Sequence, residues 1–109
     1  DIAVLDPPAL AKRRQHLPNA SKVYQDIFKS GISLIDPAGG FALACSCSAA
    51  VDTNLLLDIV RRAVNESQRE AQILSVRGAG IDHPIACNHP EGEYLKSVLL
   101  RIHEKRRAT

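Results

Sequence analysis

A chain of 109 residues forms one domain at most, with a single modest core, and 45% hydrophobic against 24% charged residues is an ordinary balance for a globular protein. A formal net charge of +2 gives no electrostatic case for nucleic acid on its own. No apolar run is long enough to span a membrane, and three cysteines without a secretory segment point to a reduced, cytoplasmic chain.

The first element, Ile2 to Leu5, is a short apolar run stopped by Asp6-Pro7-Pro8, the pattern of a buried strand ended by proline. Ala9 to Asn19 reads as a basic loop closed by Pro18. From Ala20 a helical stripe follows through Val23, Tyr24, Ile27, Phe28, Ile32, Leu34 and Ile35, weakened in its middle by Gly31. Asp36 to Gly40, "DPAGG", is a stop signal. Phe41 to Ser46 is a second apolar strand, ending at Cys47-Ser48. Asp52 or Thr53 then caps a second helix, whose Leu55, Leu56, Ile59, Val60, Ala63 and Val64 recur at three and four residues. Ala71 to Val76 reads as a third strand, Gly78 to Gly92 as a polar loop, and Glu93 to His103 as a fourth strand. Strands joined through helices are expected to be parallel, and the last, joined by a loop alone, antiparallel. The expected fold is an α/β sheet of three parallel strands plus an antiparallel last strand, with two helices.

In such a sheet, ligands bind at the carboxyl ends of the strands. Asp6-Pro7-Pro8, Cys47-Ser48 and the loop holding Asp82-His83-Pro84 and His89-Pro90-Glu91-Gly92 all fall on that edge. Each has a plainer reading. Asp-Pro-Pro also serves as a strand terminator, but two prolines fix the backbone, so that carbonyl and carboxylate can meet a base's amino group. Cysteine in an apolar strand is usually packing, which suits Cys45. Cys47 lies past the apolar run, between serines and before a helix, whose N-terminus favours a thiolate. Cys45, Cys47, Cys87 and His89 offer four metal ligands, at a spacing unlike a zinc ribbon. Lys12-Arg13-Arg14 borders the edge and could meet phosphates. Neither Gly39-Gly40 nor Gly78-Ala79-Gly80 forms a strand, glycine turn and helix for a nucleotide cofactor. The expectation is therefore that a cofactor-binding half lies upstream.

The series "LDPPALAK", "YQDI", "CSCS", "DHP" and "PEGEYLK", in this order and spacing, resembles the RlmI-type bacterial rRNA large-subunit methyltransferases. The similarity runs over essentially the whole chain, as the C-terminal half of a Rossmann-like catalytic domain (residues 1–109). It implies S-adenosylmethionine as cofactor, held mainly by the upstream half and touched here by Asp6, and large-subunit ribosomal RNA as partner. It also implies methyl transfer to C5 of cytosine. Cys47 would be the nucleophile and Asp6 the residue at the base's polar edge. Pro7, Pro8, Lys12, His83 and Glu91 would bind substrate. Leu10 stands where many members carry an aromatic residue.

Two other readings stay open. Guanine methylation would make no use of Cys47, and base-amino methylation is favoured by an aromatic residue after Asp-Pro-Pro, where Ala9 stands. A non-catalytic half-domain would persist by pairing, through the first strand's open edge or a helix face, as a homodimer.

Overall fold

The computed structural model describes residues 1–8, 10, 14–48, 50–78 and 95–105. Strand β1 (Ile2–Leu5), helix α1 (Leu17–Ser33), strand β2 (Gly40–Ser46), helix α2 (Thr53–Glu66) and strands β3 (Ala71–Arg77) and β4 (Lys96–Ile102) follow in chain order. The strands form one sheet in the order β1-β2-β4-β3. β1 runs parallel to β2, while β4 is antiparallel to both β2 and β3, so the three earlier strands share one direction. The expected mixture of strands is present. Its order is not the chain's order: β4 inserts between β2 and β3.

Each helix forms where its apolar residues recur on one face. In α1 that face is Ala20, Tyr24, Phe28, Gly31 and Ile32, all buried. It starts earlier than the sequence suggests, after a 3-10 turn at Arg14–His16, with Pro18 in its first turn. Proline costs nothing there because the first N–H groups of a helix have no intrahelical partner. Gly31 is not a weak point but a close approach, since a Cβ at that position would lie 2.2 Å from Leu5 Cδ2. In α2, Asp52 is the cap, its Oδ1 accepting from the Leu55 N–H at 2.8 Å. Leu56, Ile59, Val60 and Ala63 face inward.

Both helices pack in one cluster with Ala42 and Ala44 of β2 and Val98, Leu100 and Ile102 of β4. Alternate residues of a strand point to opposite faces, so both helices cover the same face of the sheet. The other face carries Ile2, Val4 and Phe41, which are 75%, 64% and 41% exposed.

At the end opposite the carboxyl edge of β1 and β2, a buried arginine joins three segments. Arg69 donates from Nη1 to the Ile35 carbonyl and from Nη2 to the carbonyls of Asp36 and His103, each at 3.0 Å. It thereby ties the exit of α1 to the end of β4. Gly39 completes this closure at φ +108°, where a Cβ would meet the Ile102 carbonyl at 2.7 Å. Arg69→Gln is expected to lower stability by about 2–4 kcal/mol in urea unfolding, because it removes a buried guanidinium and strips charged donors from one buried and two partly buried carbonyls. Breaking the exposed Lys22–Asp26 pair on α1 is expected to cost less than about 0.5 kcal/mol.

Candidate active site

The register of the sheet assembles the carboxyl edge. Leu5 of β1 lies opposite Ala44 of β2, so Asp6-Pro7-Pro8 leaves the sheet beside Cys45 to Ser48. Antiparallel β4 begins where β2 ends, with Lys96 opposite Ser46 and Ser97 opposite Cys45. An acid, two thiols and an amine thus converge from three adjacent strands. Ala42, Ala44 and Ser46 face the helices, so the alternation puts Leu43, Cys45 and Cys47 on the other side. Asp6 continues the parity of Ile2 and Val4 and falls on that same side.

Beneath the edge, on the helix-covered side, lies a buried set of hydroxyls. Tyr24 of α1 is fully buried, and its hydroxyl makes a short hydrogen bond with Ser48 Oγ. Ser46 Oγ donates to Tyr24 Oη at 3.3 Å and accepts from the Ser48 N–H at 3.2 Å. The Leu10 N–H donates to Ser48 Oγ at 3.0 Å, and Tyr24 Oη lies 3.4 Å from the Pro8 carbonyl as its donor. Lys96, 8% exposed, donates from Nζ to the Ser48 carbonyl at 3.4 Å. These contacts bind the Asp-Pro-Pro segment, α1, the Ser-Cys-Ser corner and the start of β4 to one another.

The thiols are both free, Cys45 buried and Cys47 half-buried. Burial, and then the charge of Asp6, push the Cys47 thiol above its ordinary pKa, while Lys96 pulls it down. Cys45 is raised by burial, by Asp6 and by Cys47. This corrects the expectation that a helix N-terminus favours the thiolate. That N-terminus begins only at Thr53 and is capped by the Asp52 carboxylate, which accepts from the Leu55 N–H. At rest Cys47 is a thiol.

Of the residues expected at the site, Asp6, Pro7, Pro8 and Cys47 stand together on this edge, with Asp6 and Pro8 exposed and Pro7 buried. Lys12, His83 and Glu91 lie outside the described residues, as do Cys87 and His89. Among the described residues no group of three or more potential ligands could hold a metal. A groove lined by Val60, Val64, Ala71 and Ile73 lies at the amino end of β3 and shares no residue with this edge.

Tyr24, Ser46, Ser48 and Lys96 had no assigned role in the sequence reading, yet each left a signal. A tyrosine on a buried helical stripe brings a hydroxyl that needs a partner. Lys96 stands in phase with Val98, Leu100 and Ile102, so strand alternation points it inward. Tyr24→Phe is expected to lower stability by about 1–3 kcal/mol in urea unfolding, since it removes one partner from each of two buried serine hydroxyls.

No protein-family model matches the chain. The chain is 40% identical over 101 residues to ribosomal RNA large subunit methyltransferase I of Aeromonas salmonicida, covering 93% of this chain and 25% of that protein. The protein of the same name from Tolumonas auensis is 41% identical over 101 residues, again 93% of this chain and 25% of the relative. That from Shewanella frigidimarina is 36% identical over 102 residues, or 94% and 25%. The chain therefore spans about a quarter of the length of the curated relatives it matches. Among solved structures, a protein assigned as a methyltransferase and complexed with SAH superposes with a TM-score of 0.70 at 18% identity, over 93% of this chain and 26% of that one. A second, assigned as a SAM-dependent methyltransferase from Streptococcus mutans, gives 0.69 at 16% identity, over 93% and 25%. The fold is thus an α/β fold shared with these structures. Over 93% of its length the chain is similar to a segment that makes up one quarter of ribosomal RNA large subunit methyltransferase I from Aeromonas salmonicida and from Tolumonas auensis.

Proposed function

We propose that residues 1–109 are the C-terminal half of the catalytic domain of a cytoplasmic, S-adenosylmethionine-dependent methyltransferase. It acts on C5 of a cytosine in large-subunit ribosomal RNA, through a covalent link to Cys47. The observation that carries this reading is the placement of Asp6 and Cys47 on one face of one sheet edge, where the thiol feels the carboxylate's charge. The names of the relatives support the substrate class, and the SAH of one structural neighbour supports the cofactor.

Cytosine C5 is a poor carbon nucleophile until the ring is altered, which is what a thiol can do. Cys47 gives its proton to the Asp6 carboxylate and adds through sulfur to C6. The S–C6 bond forms, the C5=C6 pair shifts through C4 to N3, and N3 takes up a proton. Asp6 is the group placed to hand that proton to the polar edge, while Pro7 and Pro8 fix the backbone that the edge meets. C5 is then an enamine carbon. S-adenosylmethionine, when bound, supplies a methyl carbon made electrophilic by a sulfonium. Among the described residues, the exposed Asp6 would meet the reacting end of that group, and no glycine-rich turn among them would hold its adenosine. Once C5 carries both hydrogen and methyl, a base removes the C5 proton. The C5=C6 bond re-forms, the thiolate leaves C6 and the N3 proton is returned. The target base must first be unstacked.

Fluorine at C5 cannot leave as a proton, so a full-length protein carrying this chain is expected to stay attached to RNA containing 5-fluorocytidine when S-adenosylmethionine is present. The adduct, seen as a shifted band under denaturing conditions, should be absent in Cys47→Ala. Methylation of unmodified RNA that survives Cys47→Ala would instead favour guanine or base-amino chemistry.

A second reading concerns the chain standing alone. Among the described strands β1 lies at the edge of the sheet, where Ile2 and Val4 are exposed, and unpaired apolar edges recruit further strands. Residues 1–109 alone are expected to form a homodimer in light scattering; a monodisperse monomer contradicts this.

A further inference from the structure

The reading of Cys47 as the attacking thiol leaves one element of the edge without a task, the amine that β4 brings to it. Lysine is almost never fully buried unless it is paired, and Lys96, 8% exposed, is a held cation. Its Nζ is set on the carbonyl of Ser48, the residue immediately after the thiol. That serine's hydroxyl is in turn held by Tyr24 and by the Leu10 N–H. The cation is thus anchored to the corner that carries Cys47, not to the solvent. We propose that Lys96 is the positioning residue of this site: from the β4 side it fixes the Ser-Cys-Ser corner and supplies the positive charge that holds Cys47 as a thiolate once a base engages Asp6.

This inference rests on the proposed role of Cys47. Among the described residues, the titratable groups around that thiol are Asp6 from the end of β1, Cys45 from its own strand and Lys96 from β4, while Tyr24 of α1 reaches the neighbouring Ser48. Asp6 opposes the thiolate and Lys96 favours it. When Asp6 shares a proton with the polar edge of a base, its negative charge is partly neutralised and the field of Lys96 remains. Substrate binding would then tip the thiol toward its reactive form. The proton passes from sulfur to the Asp6 carboxylate and from there to N3 of the base, while the sulfur keeps the electron pair with which it attacks C6, so no other reactant is needed.

The test measures iodoacetamide alkylation of Cys47 against pH in the full-length protein, followed by peptide mass, together with the rate of adduct formation on 5-fluorocytidine RNA. Lys96→Gln is expected to raise the alkylation midpoint by about one pH unit and to slow adduct formation about tenfold at neutral pH. Lys96→Arg should keep both near the parent values, and Asp6→Asn should lower the alkylation midpoint. Lys96→Met, which retains the aliphatic stem, takes the place of Lys96→Gln should the latter not fold. An unchanged midpoint in the charge-removing variant overturns the inference, as does a shifted midpoint with an unchanged adduct rate. An adduct that persists in Cys47→Ala overturns the reading beneath it, which separates the two failures.

Discussion

Three hydroxyls, from Tyr24, Ser46 and Ser48, meet inside the core, and the geometry of the carboxyl edge depends on their finding one another. A buried hydroxyl without a partner costs about 1–3 kcal/mol, whereas a paired one is worth far less in net stability. That asymmetry makes the cluster a constraint more than a source of stability. Moving the Asp-Pro-Pro segment away would take the Leu10 N–H from Ser48, and moving the corner would take both serine hydroxyls from Tyr24. A helix, two strand ends and a loop are held in one arrangement, and the thiol and carboxylate on the opposite side of the edge inherit its precision.

The same edge sets opposing charges around a half-buried sulfur. Burial and Asp6 keep Cys47 protonated, and Lys96 works the other way. A thiol held back in this manner is protected from adventitious alkylation and oxidation, which act on the thiolate. In the proposed reaction its reactivity is tied to whatever neutralises Asp6, the part given there to the polar edge of a base. The far end of the sheet is closed by different means, with Arg69 bridging carbonyls of two segments. The two ends are thereby stabilised by separate devices.

Much of this was legible in the sequence. Prolines after Leu5, the glycines after Asp36 and the helical stripes of α1 and α2 located the elements, because each reports a local backbone requirement. The meeting of Asp6 with Cys47 also followed, since parallel strands must end at a common edge. What escaped the reading was non-local. Nothing in the spacing of β4 says that it enters between β2 and β3, and without that insertion Lys96 has no reason to be near Cys47. Gly31 looked like a flaw in a helix because its neighbour, Leu5, is remote in sequence. Cys47 was expected to gain its reactivity from α2, but that helix is capped by Asp52, and burial, then Asp6, shifts the thiol the other way, with Lys96 opposing.

The central claim, that this edge presents Cys47 to a base, is tested most directly by mapping the bond itself. RNA containing 5-fluorocytidine would be reacted with the full-length protein and S-adenosylmethionine, digested with nuclease and protease, and the nucleotide-bearing peptide sequenced by mass spectrometry. The account predicts a methylated fluorocytidine mass on Cys47 and on no other residue. The same mass on Cys45 or Cys87, or methylated RNA with no modified cysteine, would contradict it.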